Sequence, residues 1–243
     1  MRREQALLGD FSFYTNPDEA LKSYLEYGFH LEKNVIDSSY CDQLIEQSYE
    51  LSAAKNNDFK PFMMPHRENP AFVDALKQNK IVEITGKLVD GKPMALQSQF
   101  FYCKPGTRGF SLHQDNFFVQ APYGKFVSAW IALVDTHPGN GGLIVFPSSH
   151  KAGQLPVRKL TLGLDAGQDP NANNEETVVP EQYAIENLTI PKGSVLFIHG
   201  HVVHGSNGNQ TDKSRYVLLN TYIKEGEAFR KGNYAQREPI AVT

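Results

Sequence analysis

The pattern of apolar and polar positions divides the chain into a helical first third and a β-rich remainder. Between residues 16 and 86, apolar residues recur at the three- and four-residue spacing of amphipathic helices. Proline at a helix start and glycine at a helix end mark the boundaries of the first helix. The predicted elements are a helix from Asn16-Pro17 to Gly28, a strand over residues 29–35, a helix that opens at Asp37 and a helix over residues 70–86.

From residue 94 onward, short runs rich in β-branched and aromatic residues alternate with turn signals such as Asn140-Gly141. This pattern favours a β-sandwich or barrel. The predicted strands cover residues 95–102, 117–120, 126–134, 143–146, 195–199 and 216–223.

The chain is predicted to form one domain over residues 1–243, with helical support at about 16–86 and a β core at about 94–223. The polar segment 164–182 interrupts the β pattern. It is too polar to bury and too long for a simple turn, so we expect a loop that serves as a lid.

Composition excludes several classes of protein. The chain has 243 residues, of which 40% are hydrophobic, and a formal net charge of −3. No basic cluster suggests a nucleic-acid or membrane surface, and no window is apolar enough for a membrane span. The two cysteines, Cys41 and Cys103, are isolated, which suggests free thiols in a reducing compartment. We therefore expect a cytoplasmic monomer or homodimer that acts on a small molecule.

The tripeptide His113-Gln114-Asp115 is the first candidate for chemistry. In an extended segment, residues i and i+2 point the same way, so one imidazole and one carboxylate can reach a single metal ion. A third ligand can come from the downstream cluster that holds His199, His201 and His204, and spacing alone does not choose among them. Two histidines and one carboxylate form the facial triad of Fe(II) oxygenases.

Arg215 follows this cluster after a turn-rich connection. The guanidinium group presents a fixed fork that can bind a carboxylate through two hydrogen bonds. A dicarboxylate that chelates iron at one end needs such a partner at its other end. The position of Arg215 therefore suggests a co-substrate with a second carboxylate.

These motifs resemble the phytanoyl-CoA dioxygenase family. The matching stretches run in the family's order over most of the chain, from about residue 16 to residue 223. They are residues 28–36, 103–115, 129–135, 140–150, 191–197 and 204–215, which include Cys103-Lys-Pro-Gly-Thr-Arg-Gly-Phe-Ser-Leu-His-Gln-Asp115 and Asn140-Gly-Gly-Leu-Ile-Val-Phe-Pro-Ser-Ser-His150.

The resemblance implies a mainly β fold with flanking helices, namely a double-stranded β-helix of the jelly-roll or cupin-like kind behind an N-terminal helical region. It implies His113, Asp115 and His204 as iron ligands and catalytic residues, and so selects His204 from the downstream cluster. It further implies Arg215 and Ser206 at the distal carboxylate of 2-oxoglutarate and Trp130 in the co-substrate pocket.

The strand over residues 95–102 is expected to line the same pocket, which makes Gln99 and Tyr102 candidates for co-substrate binding. Because side chains alternate along a strand, Gln97 and Gln99 face one way and Tyr102 the other, and the pattern does not say which face is inward. A basic residue of the helical third is also expected to help, and the candidates are Lys60, His66 and Arg67.

The implied cofactors are Fe(II), 2-oxoglutarate and O₂, and the implied reaction is hydroxylation of a C–H bond with release of succinate and CO₂. A halogenase is an alternative, but it would carry a small residue in place of Asp115. A cupin-like isomerase or a non-catalytic binding barrel is another alternative, which the presence of Arg215 disfavours.

Overall fold

The computed structural model describes residues 10–160 and 175–243, and its helices lie in the first half of the chain. None of the described helices has the length and apolar character needed to cross a bilayer. The helices are α1 (Pro17–Tyr27), α2 (Ser38–Ser48), α3 (Ser52–Lys55), α4 (Pro70–Leu76), α5 (Asn79–Leu88) and α6 (Asp115–Val119), with 3-10 turns at Pro65–Arg67 and Ser149–Ala152.

Antiparallel strands form the rest of the described fold. They are β1 (Phe29–Glu32), β2 (Phe62–Met63), β3 (Pro93–Cys103), β4 (Phe126–Ala132), β5 (Leu143–Val145), β6 (Val157–Lys159), β7 (Glu175–Thr177), β8 (Glu186–Asn187), β9 (Val195–His199), β10 (His204–Ser206), β11 (Arg215–Lys224) and β12 (Ile240–Ala241). Among the described residues, the major sheet has the order β1-β9-β4-β11-β3-β12, with β2 also paired to β3. A minor sheet has the order β10-β5-β8, and β6 pairs with β7.

The major sheet is covered on both faces. One face packs against the helices through a cluster that includes Phe72, Phe100 and Tyr222. The other face packs against the minor sheet through a cluster that includes Trp130 and Val145. Because side chains alternate along each strand, this arrangement divides β3 and β11 into a helix-facing set and a set that faces the space between the two sheets.

Gly28 makes the tight passage from α1 into β1. Its φ of +81° places it in the left-handed region, and its N–H donates a hydrogen bond to the carbonyl of Tyr24. A Cβ at this position would lie 2.2 Å from Cγ2 of Val202 and 2.4 Å from Nδ1 of His150. This close approach packs the end of α1 against Val202, which precedes β10 of the minor sheet.

The structure confirms most of the predicted elements and corrects some. The segment predicted as one helix over residues 70–86 is two helices, α4 and α5, because the chain turns at Lys77-Gln78. The run predicted as a strand over residues 117–120 belongs to the helix α6, which the Asn116 side chain stabilises by hydrogen bonds to both backbone groups of Ala121. Most of the predicted lid over residues 164–182 lies outside the described residues, and its described part begins with β7.

We predict that Gly28→Ala lowers the free energy of unfolding by about 2–5 kcal/mol, because it combines left-handed strain with overpacking against Val202. Gly124→Ala is the matched control: Gly124 has a φ of +70° but no atom within 4 Å of an added Cβ. The control should lose only about 1–2 kcal/mol, from strain alone. Urea denaturation of both variants measures the difference, and equal losses would show that the contact with Val202 is unimportant.

Candidate active site

An antiparallel bridge joins His113 to His204 at one end of the minor sheet. The N–H of His113 donates to the carbonyl of His204 at 2.9 Å, and the N–H of His204 donates to the carbonyl of His113 at 3.0 Å. This pairing sets the two imidazole rings side by side, with their centroids 4.3 Å apart. The bridge therefore brings together two histidines that are far apart in sequence.

Asp115 completes this arrangement from the first residue of α6. Its Oδ1 lies 3.4 Å from Nε2 of His113 and 3.7 Å from Nε2 of His204. One possible ligand atom from each residue lies within 4.8 Å of the other two. Two nitrogens and one oxygen at this spacing can hold one metal ion on a single face and leave its other positions open.

Hydrogen bonds orient each of the three side chains. Nδ1 of His113 is 2.8 Å from the carbonyl of Ser111, and Nδ1 of His204 is 3.1 Å from the carbonyl of Val202. Because a carbonyl only accepts, both Nδ1 atoms carry the proton and both Nε2 atoms keep a free lone pair. The hydroxyl of Ser128 donates to Oδ2 of Asp115, which leaves Oδ1 for a metal.

The charges of the three side chains also suit a metal site. Burial alone would raise the pKa of Asp115, but the neighbouring His204 and His113 and the hydrogen bond from Ser128 hold it well below its usual range. Burial lowers the pKa of His204 to about 4. Burial would also lower the pKa of His113, but its interactions with Asp115 and the carbonyl of Ser111 raise it. The ionised Asp115 and the lowered pKa of His204 therefore suit a divalent cation, whereas the raised pKa of His113 means that a proton competes with the metal for this imidazole.

The other two histidines of the downstream cluster lie elsewhere. Nδ1 of His199 accepts a hydrogen bond from the N–H of His201, and the His201 ring contacts Asn116 and Tyr123. Neither belongs to the metal-binding group found among the described residues. The spacing argument left His199, His201 and His204 open, and the geometry groups only His204 with His113 and Asp115.

The triad opens into a cavity of about 340 Å³ between the two sheets. Gln97, Gln99 and Phe101 of β3 line this cavity, so this face of the strand is the inward one. Tyr102 lies on the opposite face, where its hydroxyl donates to the carbonyl of Ser48 in α2. The expectation that Tyr102 contacts a co-substrate is therefore corrected, whereas Gln99 does reach the cavity.

Arg215 lies in the same cavity at the first residue of β11 and is only 3% exposed. Burial lowers the pKa of its guanidinium, and its Nε has no hydrogen-bond partner within residues 10–160 and 175–243. The backbone of the turn at Gly141 covers it so closely that an added Cβ would lie 3.2 Å from Nη2. A buried cation without a partner is costly, so this site is suited to an anion.

Trp130 and Ser206 flank Arg215 in the cavity wall. The centre of the guanidinium lies 5.7 Å from the centroid of the Trp130 ring. Ser206 accepts a hydrogen bond at its Oγ from the N–H of Phe110, at 2.9 Å, so its own hydroxyl proton remains available to a ligand. The structure thus brings Arg215, Ser206, Trp130 and Gln99 together around one cavity with the triad.

The basic candidates of the helical third are not among the residues that line this cavity. His66 contacts the hydroxyl of Ser98 on the helix-facing side of β3, Arg67 donates to the carbonyl of Gln236, and Lys60 is exposed. The cavity instead receives Arg230 and Arg237 from the irregular segment after β11, which we call the C-terminal arm (residues 225–239). Sequence reasoning missed this arm because it shows no periodicity and no motif.

Comparison with known proteins identifies the family that these features match. The chain matches the model of the family described as phytanoyl-CoA dioxygenase (PhyH) over residues 24–217. A phytanoyl-CoA dioxygenase of Arabidopsis thaliana is 30% identical over 183 residues, which are 73% of this chain and 62% of the relative. The alignments with the first curated relatives span only 55–62% of those proteins' lengths.

Solved structures show the same fold at low sequence identity. EvdO2 of Micromonospora carbonacea var. aurantiaca, complexed with 2-oxoglutarate, superposes with a TM-score of 0.72 at 14% identity, over 86% of this chain and 91% of that chain. The epimerase SnoN, in complex with Fe3+, alpha ketoglutarate and nogalamycin RO, gives a TM-score of 0.69 at 17% identity, over 93% and 95%. The predicted double-stranded β-helix is therefore confirmed.

We predict that Ser128→Ala weakens the binding of Fe(II) by roughly 10- to 100-fold, because Asp115 loses the hydrogen bond that orients it. Ser98→Ala is the matched control, since Ser98 is a buried serine of β3 in the same sheet that faces His66 instead of the triad. Metal titration of both purified variants measures the effect. Equal affinities in Ser128→Ala and the wild type would show that this hydroxyl does not support the site.

Proposed function

The chain belongs to the phytanoyl-CoA dioxygenase family of oxygenases that depend on iron and 2-oxoglutarate, and we propose that it hydroxylates a C–H bond of a small-molecule metabolite. In this reaction 2-oxoglutarate leaves as succinate and CO₂. The observation that carries the proposal is the presence, in one cavity, of an open His-Asp-His triad and a buried arginine whose Nε has no partner.

The residues present fit both iron and 2-oxoglutarate. His113 and His204 offer Nε2 lone pairs and Asp115 offers Oδ1, and these three atoms are the proposed iron ligands. Arg215, which is buried and cationic, is the proposed partner for the far carboxylate of 2-oxoglutarate, with the Ser206 hydroxyl as a further donor. When bound, the two groups together supply the activation of O₂ that C–H oxidation requires.

The protein itself contributes orientation and exclusion of water. Two backbone hydrogen bonds hold His113 against His204, so the ligand nitrogens are in place before a metal arrives. Aromatic side chains, including Phe101, Phe110 and Trp130, line the cavity around the triad. Their apolar surfaces keep bulk water away from the reacting atoms and strengthen the interaction between Arg215 and an anion.

Two alternatives make different demands on the same residues. A halogenase needs an open position where Asp115 stands, and this carboxylate points toward both imidazoles. A cupin-like isomerase or a non-catalytic barrel would have no use for a buried arginine in the same cavity as the triad whose Nε has no hydrogen-bond partner among the described residues. Formation of succinate from 2-oxoglutarate separates the proposed oxygenase from an isomerase or binding protein.

The proposed hydroxylation is tested by supplying Fe(II), 2-oxoglutarate and air to the purified protein together with a metabolite panel. Succinate should form slowly without a substrate and faster with the right one, whose product should gain one oxygen atom. Succinate must not form without O₂. A protein that binds iron but makes no succinate under any of these conditions would contradict the proposal. Cell fractionation and size-exclusion chromatography check the predicted cytoplasmic location and the predicted monomer or homodimer.

We predict that His113→Ala and His204→Ala each empty the iron site and abolish succinate formation, because each removes one of three ligands. His201→Ala should keep iron, since this histidine contacts Asn116 and Tyr123 instead of the triad. Iron content measured after desalting gives the comparison. The ligand assignment fails if His201→Ala loses iron while His204→Ala retains it.

We predict that Arg215→Ala raises the KM for 2-oxoglutarate by at least ~30-fold, because loss of one partner of a buried charge pair typically costs about 2–5 kcal/mol. Arg215→Lys keeps the charge but loses the fork, so its KM should lie between those of Arg215→Ala and the wild type. Iron affinity should not change in either variant. Succinate formation titrated against 2-oxoglutarate measures the KM, and an unchanged KM in Arg215→Ala would assign the co-substrate to another cation.

A further inference from the structure

The inner face of β11 extends well beyond the part that Arg215 occupies. Arg215, Leu219 and Thr221 lie on this face and line the cavity. At about 3.3 Å per residue, the backbone positions of Arg215 and Thr221 are ~20 Å apart along the strand. A small dicarboxylate held by Arg215 therefore leaves the end of the cavity near Thr221 free for a second molecule.

A row of three polar residues crosses the major sheet at the level of Thr221. Thr221 pairs with Ser128 of β4 on one side and with Gln97 of β3 on the other. Ser128 donates to Asp115 of the triad, and Oε1 of Gln97 accepts a hydrogen bond at 2.9 Å from Nε of Arg237. The row thus leads from a proposed iron ligand to a buried arginine across about two strand spacings, or ~10 Å.

Arg237 reaches this position from the C-terminal arm and is only 6% exposed. Its Nη1 donates to the carbonyls of Phe118, Arg230 and Lys231, at 3.2, 3.1 and 3.4 Å. All of its hydrogen-bond acceptors among the described residues are neutral, and these bonds use only Nε and Nη1. The Gln97 side chain and three backbone carbonyls thus fix a buried guanidinium in the cavity wall. Burial lowers its pKa, and the nearby Asp115 carboxylate opposes this shift, but no carboxylate of the described residues accepts a hydrogen bond from it.

Thr221 supplies an independent sign that a ligand binds here. Thr221 is 4% exposed and lines the cavity, yet its Oγ1 has no hydrogen-bond partner in the part of the chain that the structure describes. A buried hydroxyl without a partner typically costs about 1–3 kcal/mol. A ligand that accepts hydrogen bonds from both the Thr221 hydroxyl and Nη2 of Arg237 would relieve this cost and give the buried guanidinium a hydrogen-bonded anion.

We propose that Arg237 and Thr221 form the anion subsite for the primary substrate, which is a small molecule that bears a carboxylate. This inference rests on the proposed function, because it concerns the substrate of the same iron site. The carboxylate binds at the Arg237 end of the cavity, and the C–H bond to be oxidised lies between this subsite and the triad. The co-substrate binds at the other end, against Arg215.

The chemistry of the subsite favours a carboxylate. The free nitrogen Nη2 of Arg237 and the Thr221 hydroxyl offer two donors, which match the two oxygens of a carboxylate. The cavity, at about 340 Å³, is at the lower limit of ordinary ligand pockets and must also admit 2-oxoglutarate. The buried part of the substrate is therefore small.

The test compares acids with their amides. The protein, loaded with Fe(II) and 2-oxoglutarate without O₂, is titrated with a panel of short aliphatic, hydroxy and amino acids, each paired with its own carboxamide. Binding is read from the fluorescence of Trp130, which lines the cavity and is the single tryptophan of the chain. Air is then admitted and succinate is measured. The variants are Arg237→Gln and Thr221→Val, and the control is Arg158→Gln, an exposed arginine paired with Glu176.

We expect at least one acid to bind at least ~30-fold more tightly than its amide and to accelerate succinate formation. Arg237→Gln should lower the affinity for the acid to that for the amide and leave the amide unchanged. Thr221→Val should weaken binding of the acid by a smaller factor, on the order of tenfold. Arg158→Gln should behave as the wild type. The KM for 2-oxoglutarate should stay constant in Arg158→Gln, and thermal unfolding followed by circular dichroism checks that all three variants are folded.

Three results would overturn the subsite: no acid in the panel binds, acids and amides bind equally well, or Arg237→Gln retains the preference for the acid. A wild type that makes no succinate at all would instead contradict the proposed function. In that case the fluorescence titration would still measure whether Arg237 selects a carboxylate. The two proposals can therefore fail separately.

Discussion

The two hydrogen bonds between the backbones of His113 and His204 are the interaction on which the site depends. They join the segment that precedes α6 to the first residue of β10, and they fix the distance between the two imidazole rings. Asp115 can then complete the triad because it follows His113 by two residues. Without this bridge, the proposed ligands would belong to two separate loops. Bringing the loops together would then reduce the net free energy of metal binding.

Because side chains alternate between the two faces of each strand, the major sheet contributes to both the hydrophobic core and the cavity. The helix-facing side chains of β3 and β11, such as Phe100, Tyr102 and Tyr222, build the core, while the inward side chains build the cavity. The helices of the first third therefore support the sheet from behind and contribute little to the site. Met63, beside β3, is the residue of this third that lines the cavity.

Spacing in the sequence pointed to His113, Asp115 and Arg215 but left the second histidine open among His199, His201 and His204. The resemblance of the ordered motifs to a known family supplied the fold class, the choice of His204 and the place of Trp130. Which face of β3 lines the cavity could not be predicted. Gln99 and Tyr102 lie on opposite faces of this strand, and only the packing of the helices against one face decides which residue reaches the cavity. Asp115 was expected in an extended segment but begins α6, because the hydrogen bonds of Asn116 favour a helical turn there. Arg237 was missed because its place in the cavity depends on hydrogen bonds to Gln97 and Phe118, which are distant in sequence and leave no local pattern.

The buried arginines of the cavity have a consequence for the stability of the protein. Burial of Arg215 and Arg237 lowers the pKa of both guanidinium groups, so the free protein bears a local desolvation cost that the unfolded chain does not. An anion that binds only the folded state adds its binding free energy to the free energy of unfolding. The concentration of 2-oxoglutarate then affects the resistance of the folded protein to proteolysis as well as the rate of catalysis. Because this stabilisation depends on the logarithm of the ligand concentration, a fall in 2-oxoglutarate that still leaves the proposed site saturated would already lower the free energy of unfolding.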